Sequence, residues 1–330
     1  ALVVQMQLQA RQHERCDKWL DQLAQAEPAS LRPAALRAQV AVARDPSADV
    51  ESLVEAKALE VAAAASNPTD QKKLLAGIGD LYASLKQYAP AERWYRKLVA
   101  LAPDQYPLLV GTLAKQGRLA DAIAICEQAA KTETTSRPIL VMVAALTDGT
   151  PGEQDYKQAE PLLAAALARF DKEAGLLYSA TLVRISQGRY DAAAELYRQI
   201  LEINPKFVPA LNNLAMLLAE RPAERGEAIT LIDRAIEIAG KDAGLLDTKG
   251  AILTYSSRSA EAVPLLVAAT RGAAADPRHH FHLAIAYRDQ GKLEEAKVQL
   301  KTALERQLTQ QVLMPTDQRL LAELRSALAL

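Results

Sequence analysis

The chain has 330 residues, half of them hydrophobic but only 5% aromatic, and its apolar content is mostly Ala and Leu. A formal net charge of -1, with Lys and Arg mixed among Asp and Glu, lacks the basic excess of a nucleic-acid binder. No apolar run approaches the ~20 residues that span a bilayer, and two cysteines are too few for a stapled secreted framework. Ala and Leu lose little side-chain freedom in a helix, and the Gly and Pro residues fall between apolar stretches. An all-α chain with short turns is expected. It begins at Ala1 inside a helical pattern and without Met. That start reads as a fragment or a processed form, so the lack of a secretory signal leaves the compartment open.

In chain order, Val4, Cys16, Leu20 and Leu23 mark a first helix pair closed by Pro28. Residues 31–65 form the most degenerate stretch, two helices split by Asp45-Pro46-Ser47. Gly79, Tyr82, Ala91 and Tyr95, closed by Pro103, mark the next pair. Val110, Leu113, Gly117, Ala122, Cys126 and Ala129 mark another, whose short first helix begins near Pro107. Cys16 and Cys126 both fall at packing positions and read as buried small hydrophobes. A loop around Gly149 and Gly152 follows.

From Gly175 the pattern sharpens. One helix ends at Gly188, which can take the left-handed conformation at little steric cost. A second helix begins near Tyr190 and stops before Asn204-Pro205, because Pro205 cannot continue it. Two further pairs carry Ala215, Leu218, Ala228, Ile232 and Ala235, with an extra turn residue near Pro222, and then Gly250, Leu253, Ala262, Leu266 and Ala269. The last pair carries Ala284, Tyr287, Gly291, Ala296, Leu300 and Ala303. Ala159, Ala193, Ala228, Ala262 and Ala296 stand 34, 35, 34 and 34 residues apart. A fixed period of this length means stacked units rather than one globular core. Ordering one such unit costs at least ~34 kcal/mol of backbone entropy at about 1 kcal/mol per residue, which two short helices recover only when neighbours cover their open side.

These residues resemble the tetratricopeptide repeat. That family has a small residue at the eighth position, a large one at the eleventh, and often Gly at the fifteenth. Ala at the twentieth, an aromatic at the twenty-fourth, a small residue at the twenty-seventh and Pro at the thirty-second complete it. The unit before Pro205 departs at the eleventh position, where Arg184 replaces the aromatic. The resemblance implies a right-handed superhelical α-solenoid of about nine helix pairs. Residues 1–65 would be divergent N-terminal repeats, 69–171 middle repeats and 174–310 the best-matching repeats of a single solenoid. The helix expected over 316–330 would cap it, apolar at Leu320, Leu321, Leu324 and Leu328. First helices of the style Leu211-Asn212-Asn213-Leu214-Ala215 are similar to those of bacterial multi-repeat chains.

No catalytic constellation is present: no H-E-x-x-H, P-loop, dinucleotide fingerprint or nucleophile elbow. His279 and His282 are three apart and could share a helix face as metal ligands do. No Cys lies nearby, however, and Asp276 is the only close upstream carboxylate. No catalytic residue, cofactor or metal is expected.

The resemblance places first helices along a concave face. Its sixth position holds Ser179, Asn213, Thr248 and His282, a polar ladder suited to an extended backbone. Around it stand Tyr178, Asn212, Met216, Asp247, Tyr255, Arg278, Phe281 and Arg288. Phe281 and Tyr178 are the sharpest contact candidates, either of which could instead tuck between helices. A Lys/Asn/Arg carboxylate clamp, used by chaperone-docking members, is not reproduced, since Tyr178 and Leu182 replace Lys and Asn. The expectation is a non-enzymatic scaffold holding a peptide or partner protein in this groove. Two rival readings remain: a recruiting or assembly arm of a larger enzyme or secretion system, and self-association through exposed repeat ends.

Overall fold

The structure, a computed structural model, describes residues 13–65, 67–272, 276–311 and 313–328. Val4 and the last two residues of the expected capping helix lie outside the described residues. Among the described residues are eighteen α-helices, three short 3-10 turns and no strand. They fall into two compact units that divide after Arg169.

The first unit contains α1 (His13–Ala26), α2 (Arg32–Arg44), α3 (Val50–Ala64), α4 (Pro68–Ser84), α5 (Tyr88–Leu101), α6 (Tyr106–Lys115), α7 (Leu119–Thr132), α8 (Arg137–Asp148) and α9 (Glu153–Arg169). Helices α2 and α3 are separated at the Asp-Pro-Ser breaker, where Asp45 accepts the Ser47 amide at 2.8 Å. Asp49 and Asn67 then cap α3 and α4 by accepting the amides of Ser52 and Asp70. Close approach of α4 to α5 depends on Gly79: a Cβ there would stand 2.4 Å from Tyr95 Cε1. Trp94, fully buried, donates its Nε1–H to Glu55 Oε2 at 3.1 Å, which also accepts from the Tyr82 hydroxyl at 3.0 Å. One carboxylate thus ties α3 to both following helices.

The second unit holds α10 (Ala174–Ser186), α11 (Tyr190–Ile203), α12 (Val208–Ala219), α13 (Arg225–Ala239), α14 (Ala243–Tyr255), α15 (Ser259–Ala269), α16 (Pro277–Asp289), α17 (Leu293–Glu305) and α18 (Pro315–Leu328). The first eight of these form four hairpins, with the 3-10 turn Pro222–Glu224 absorbing the extra residue of the second. Ala193, Ala228, Ala262 and Ala296 are completely buried, and Gly250 admits Leu266 so closely that a Cβ would meet its Cγ at 2.5 Å.

The same turn chemistry recurs in both units. Gly117, Gly188 and Gly291 sit at φ near +70°. The amide of each bonds three residues back, and the next amide bonds five back, as in Arg189 to the Arg184 carbonyl. This double bond pattern satisfies carbonyls that the helix end leaves open. Lys86 and Ser257 take the identical left-handed position in their own hairpins, at φ 59° and 60°, without being Gly.

Beyond α17 the chain turns at Leu308, which is fully buried, and α18 packs against α16. The capping helix expected at the end of the stack therefore lies along the row of first helices. Its first-turn amide at Thr316 bonds Glu220, just past the end of α12, at 3.0 Å. The cause is polar as well as apolar: Leu320, Leu321, Leu324 and Leu328 are buried, and so is Asp317.

Candidate functional site

The side chains that matter stand on α10, α12, α14 and α16. These first helices share one face because the 34-residue period repeats their register. Seven of the twelve expected contact residues line one cleft of about 340 Å³: Asn212, Asn213, Met216, Asp247, Thr248, Arg278 and His282. Leu182 and Ile185 from α10 supply apolar wall, and Met314 and Asp317 close it from the C-terminal segment.

The polar ladder is largely satisfied from within. Ser179 turns its hydroxyl back onto the Gly175 carbonyl at 2.9 Å. Asn213 donates to the hydroxyl oxygens of Tyr197 at 3.1 Å and Tyr178 at 3.4 Å. Thr248 is buried, and His282 is only 2% exposed. Buried polar groups must find partners, so a row of them on a packed face bonds to its neighbours before it bonds to a ligand. Asn212 differs: it donates to Asn213 Oδ1 at 3.0 Å, while its own Oδ1 is buried without a partner among the described residues.

Five expected residues are not lining the cleft. Phe281 has no exposed surface and packs its ring 5.4 Å from that of His282, so it is a core residue and cannot anchor a ligand. Tyr255 is likewise buried, with its hydroxyl donating to Asp317. Tyr178 is half-buried, its ring edge-on to Phe207 at 5.7 Å. Ser179 is taken by its own helix, and Arg288 pairs with Asp289 at 2.8 Å and reaches Glu323 of α18 at 3.6 Å. Burial also limits Asp247, which keeps a place in the cleft wall with only 6% of its surface exposed. Hydrophobic neighbours on both sides of each first helix, invisible in a linear pattern, account for these burials.

The deepest group is an ion cluster. Both carboxylate oxygens of Asp247 lie 2.9 Å from His282 Nδ1. On the other side of the ring, Nε2 faces Asp317 Oδ1 at 3.4 Å, a charge contact longer than an ordinary hydrogen bond. Burial pulls the imidazole toward neutrality, but the Asp247 and Asp317 charges outweigh it and push its pKa up to about 10. Burial would raise Asp317, yet His282, Tyr255 and Arg278 hold its carboxyl below the usual range. Tyr255 is driven well above its ordinary value, by burial first and then by Asp317. Burial also raises Glu220, against the bond from Thr316.

Asp317 and Glu220 were not foreseen as site residues. Asp317 stands among the alternating charges of an amphipathic helix, and nothing in the linear pattern places it beside residues 247, 255 and 282. Among the described residues no group of three or more His, Cys, Asp or Glu side chains is arranged to hold a metal ion. None of the described helices is long and apolar enough to cross a membrane.

Profiles described as tetratricopeptide repeat match residues 73–105, 152–207, 184–251 and 250–306. Among curated proteins, the chain is similar to photosystem I assembly protein Ycf3 of Cyanophora paradoxa. The two are 41% identical over 64 residues, 18% of this chain and 37% of the relative. The Ycf3 of Synechococcus elongatus is 34% identical over 103 residues, 29% of this chain and 57% of the relative. The chain thus spans less than two thirds of these relatives. A tetratricopeptide repeat protein from Parabacteroides merdae superposes with a TM-score of 0.56 at 17% identity, covering 76% of this chain and 97% of that one. At that identity the likeness shows the fold.

Proposed function

Because the chain belongs to the tetratricopeptide-repeat family, whose matches together cover more than half of it, we propose that it is an interaction scaffold without chemistry of its own, holding a partner protein segment in the cleft of its second unit. One observation supports this reading: seven side chains from three successive first helices converge on a single cleft. The helices fix these groups before binding, so the partner bears most of the ordering cost. A volume of about 340 Å³ suits a few side chains of an extended segment rather than a whole domain. Asn212 Oδ1 is buried without a hydrogen-bond partner among the described residues, and a segment N–H that reached it would recover an unmade bond worth ~1–3 kcal/mol.

Its similarity to photosystem I assembly proteins supports the allied reading of an arm that recruits components to a larger machine. The cleft serves both. The test uses the full chain as bait in affinity purification, alongside Met216→Glu and Arg278→Glu. Both positions line the cleft and neither is fully buried. Folded variants should lose the co-purifying partner at least tenfold. Partners retained at wild-type yield by both variants would remove the cleft as the site.

A further inference from the structure

Helix α18 is a terminal helix lying on the face that the scaffold reading assigns to partners. The end of the stack keeps Leu293 and Val298 of α17 exposed, at 48% and 61%. What α18 meets is a seat built for a carboxylate. The Tyr255 hydroxyl donates to Asp317 Oδ1, and His282 faces the same oxygen at 3.4 Å. One helical turn and a half further on, Arg288 reaches Glu323 at 3.6 Å. Two acidic side chains of one amphipathic helix thus face three groups that attract them, while its leucines cover the apolar surface between.

Occupation by α18 is also costly. It places Asp317 beside Asp247 with one imidazolium between them. It half-buries Glu220, whose Oε2 accepts the Thr316 amide while Oε1 is left without a partner among the described residues. The cost falls on Glu220, which burial raises above the usual carboxylate range, whereas Asp317 is held low by His282, Tyr255 and Arg278. A helix that keeps the carboxylate and the leucines but supplies a donor to Glu220 would fit better than the chain's own.

We infer that the face of α14 and α16 under α18 is a second docking surface, for a partner's amphipathic helix bearing a carboxylate in its first turn, and that α18 holds this seat in the free chain. The inference rests on the scaffold reading and names the chemistry of a partner for the same row of helices. The partner is read by charge complementarity: an acid for Tyr255 and His282, a second acid for Arg288, and a leucine face between.

The probe is a fluorescent synthetic peptide with the sequence of residues 313–328, compared with the same peptide carrying Asn for Asp317. The protein is the full chain, wild type and Leu324→Asp. That substitution weakens the chain's own helix and leaves Glu220, Tyr255, His282 and Arg288 in place. The Leu324→Asp chain should bind the acidic peptide at least tenfold more tightly than wild type does, since its own helix no longer competes. It should bind the Asn peptide at least tenfold more weakly than the acidic one. Binding of neither peptide, or equal binding of both, overturns the inference. Should Leu324→Asp fail to fold, Asp317→Asn in the full chain loosens the helix with no change of volume. Amides of residues 315–328 should then lose exchange protection while the acidic peptide gains affinity; unchanged protection overturns it. A wild-type dimer that the peptide dissolves would assign the seat to a second copy and also overturn it. The cleft reading is judged by partner capture with Met216→Glu and Arg278→Glu and this one by peptide affinity in the Leu324→Asp chain, so failure of one is told apart from failure of the other.

Discussion

The buried imidazolium makes the stability of the second unit depend on pH in a way that can be worked out beforehand. His282 has an ordinary value of 6.5 when the chain is unfolded and about 10 when it lies between Asp247 and Asp317. A folded value above the unfolded one means the folded state holds the proton more tightly. The stabilisation is complete below 6.5 and is lost as pH rises toward 10. At about 1.4 kcal/mol per unit of pH, the whole window is worth up to about 5 kcal/mol. The part between about pH 7 and about pH 9 is worth roughly 2–3 kcal/mol. Both tryptophans of the chain, Trp19 and Trp94, lie in the first unit. Urea titrations followed by fluorescence therefore report that unit, and far-UV circular dichroism reports both. Between the two pH values the circular-dichroism transition of the second unit should shift to lower urea while the fluorescence transition serves as the internal reference. The His282→Gln chain should lose this pH dependence. At neutral pH it should also be less stable by ~3–5 kcal/mol, because two buried carboxylates are left facing each other. A wild-type second transition that stays put between the two pH values, or one that moves equally in His282→Gln, would refute the buried ion cluster as the source.

Three more outcomes follow from local geometry. Lys86→Gly and Ser257→Gly relieve a left-handed conformation that side chains resist, and each should raise stability by ~0.5–1 kcal/mol in chemical denaturation; a loss of stability would contradict the turn assignment. Gly79→Ala drives a methyl to within 2.4 Å of the Tyr95 ring, so the helix-propensity gain should be overwhelmed by an overpacking cost of ~1–3 kcal/mol, read as a fluorescence transition at lower urea. The Cys126 thiol is buried, and burial pushes its pKa up to about 12. It should resist alkylation by iodoacetamide in the native chain and react once urea unfolds it, as mass spectrometry of the tryptic peptide would show; ready native labelling would contradict its burial.

The helices, their order and most of their ends follow from the sequence alone. A local rule governs each: Gly188 and Gly291 adopt the left-handed turn, prolines stop helices, and alanines recur where helices touch. The period makes such rules visible because every repeat states them again. Lys86 and Ser257 escaped notice because they perform the glycine's task without being glycine. The path of α18 was beyond local reading. Its leucines announce an apolar stripe but not which surface will cover it, and Asp317 meets Tyr255 and His282 across 62 and 35 residues of chain. The burial of Phe281, the closing of the polar ladder on itself and the charge on His282 were likewise decided by tertiary packing. Each depends on which side chains arrive from distant segments and how much water they exclude, and a pattern of spacings carries no measure of either.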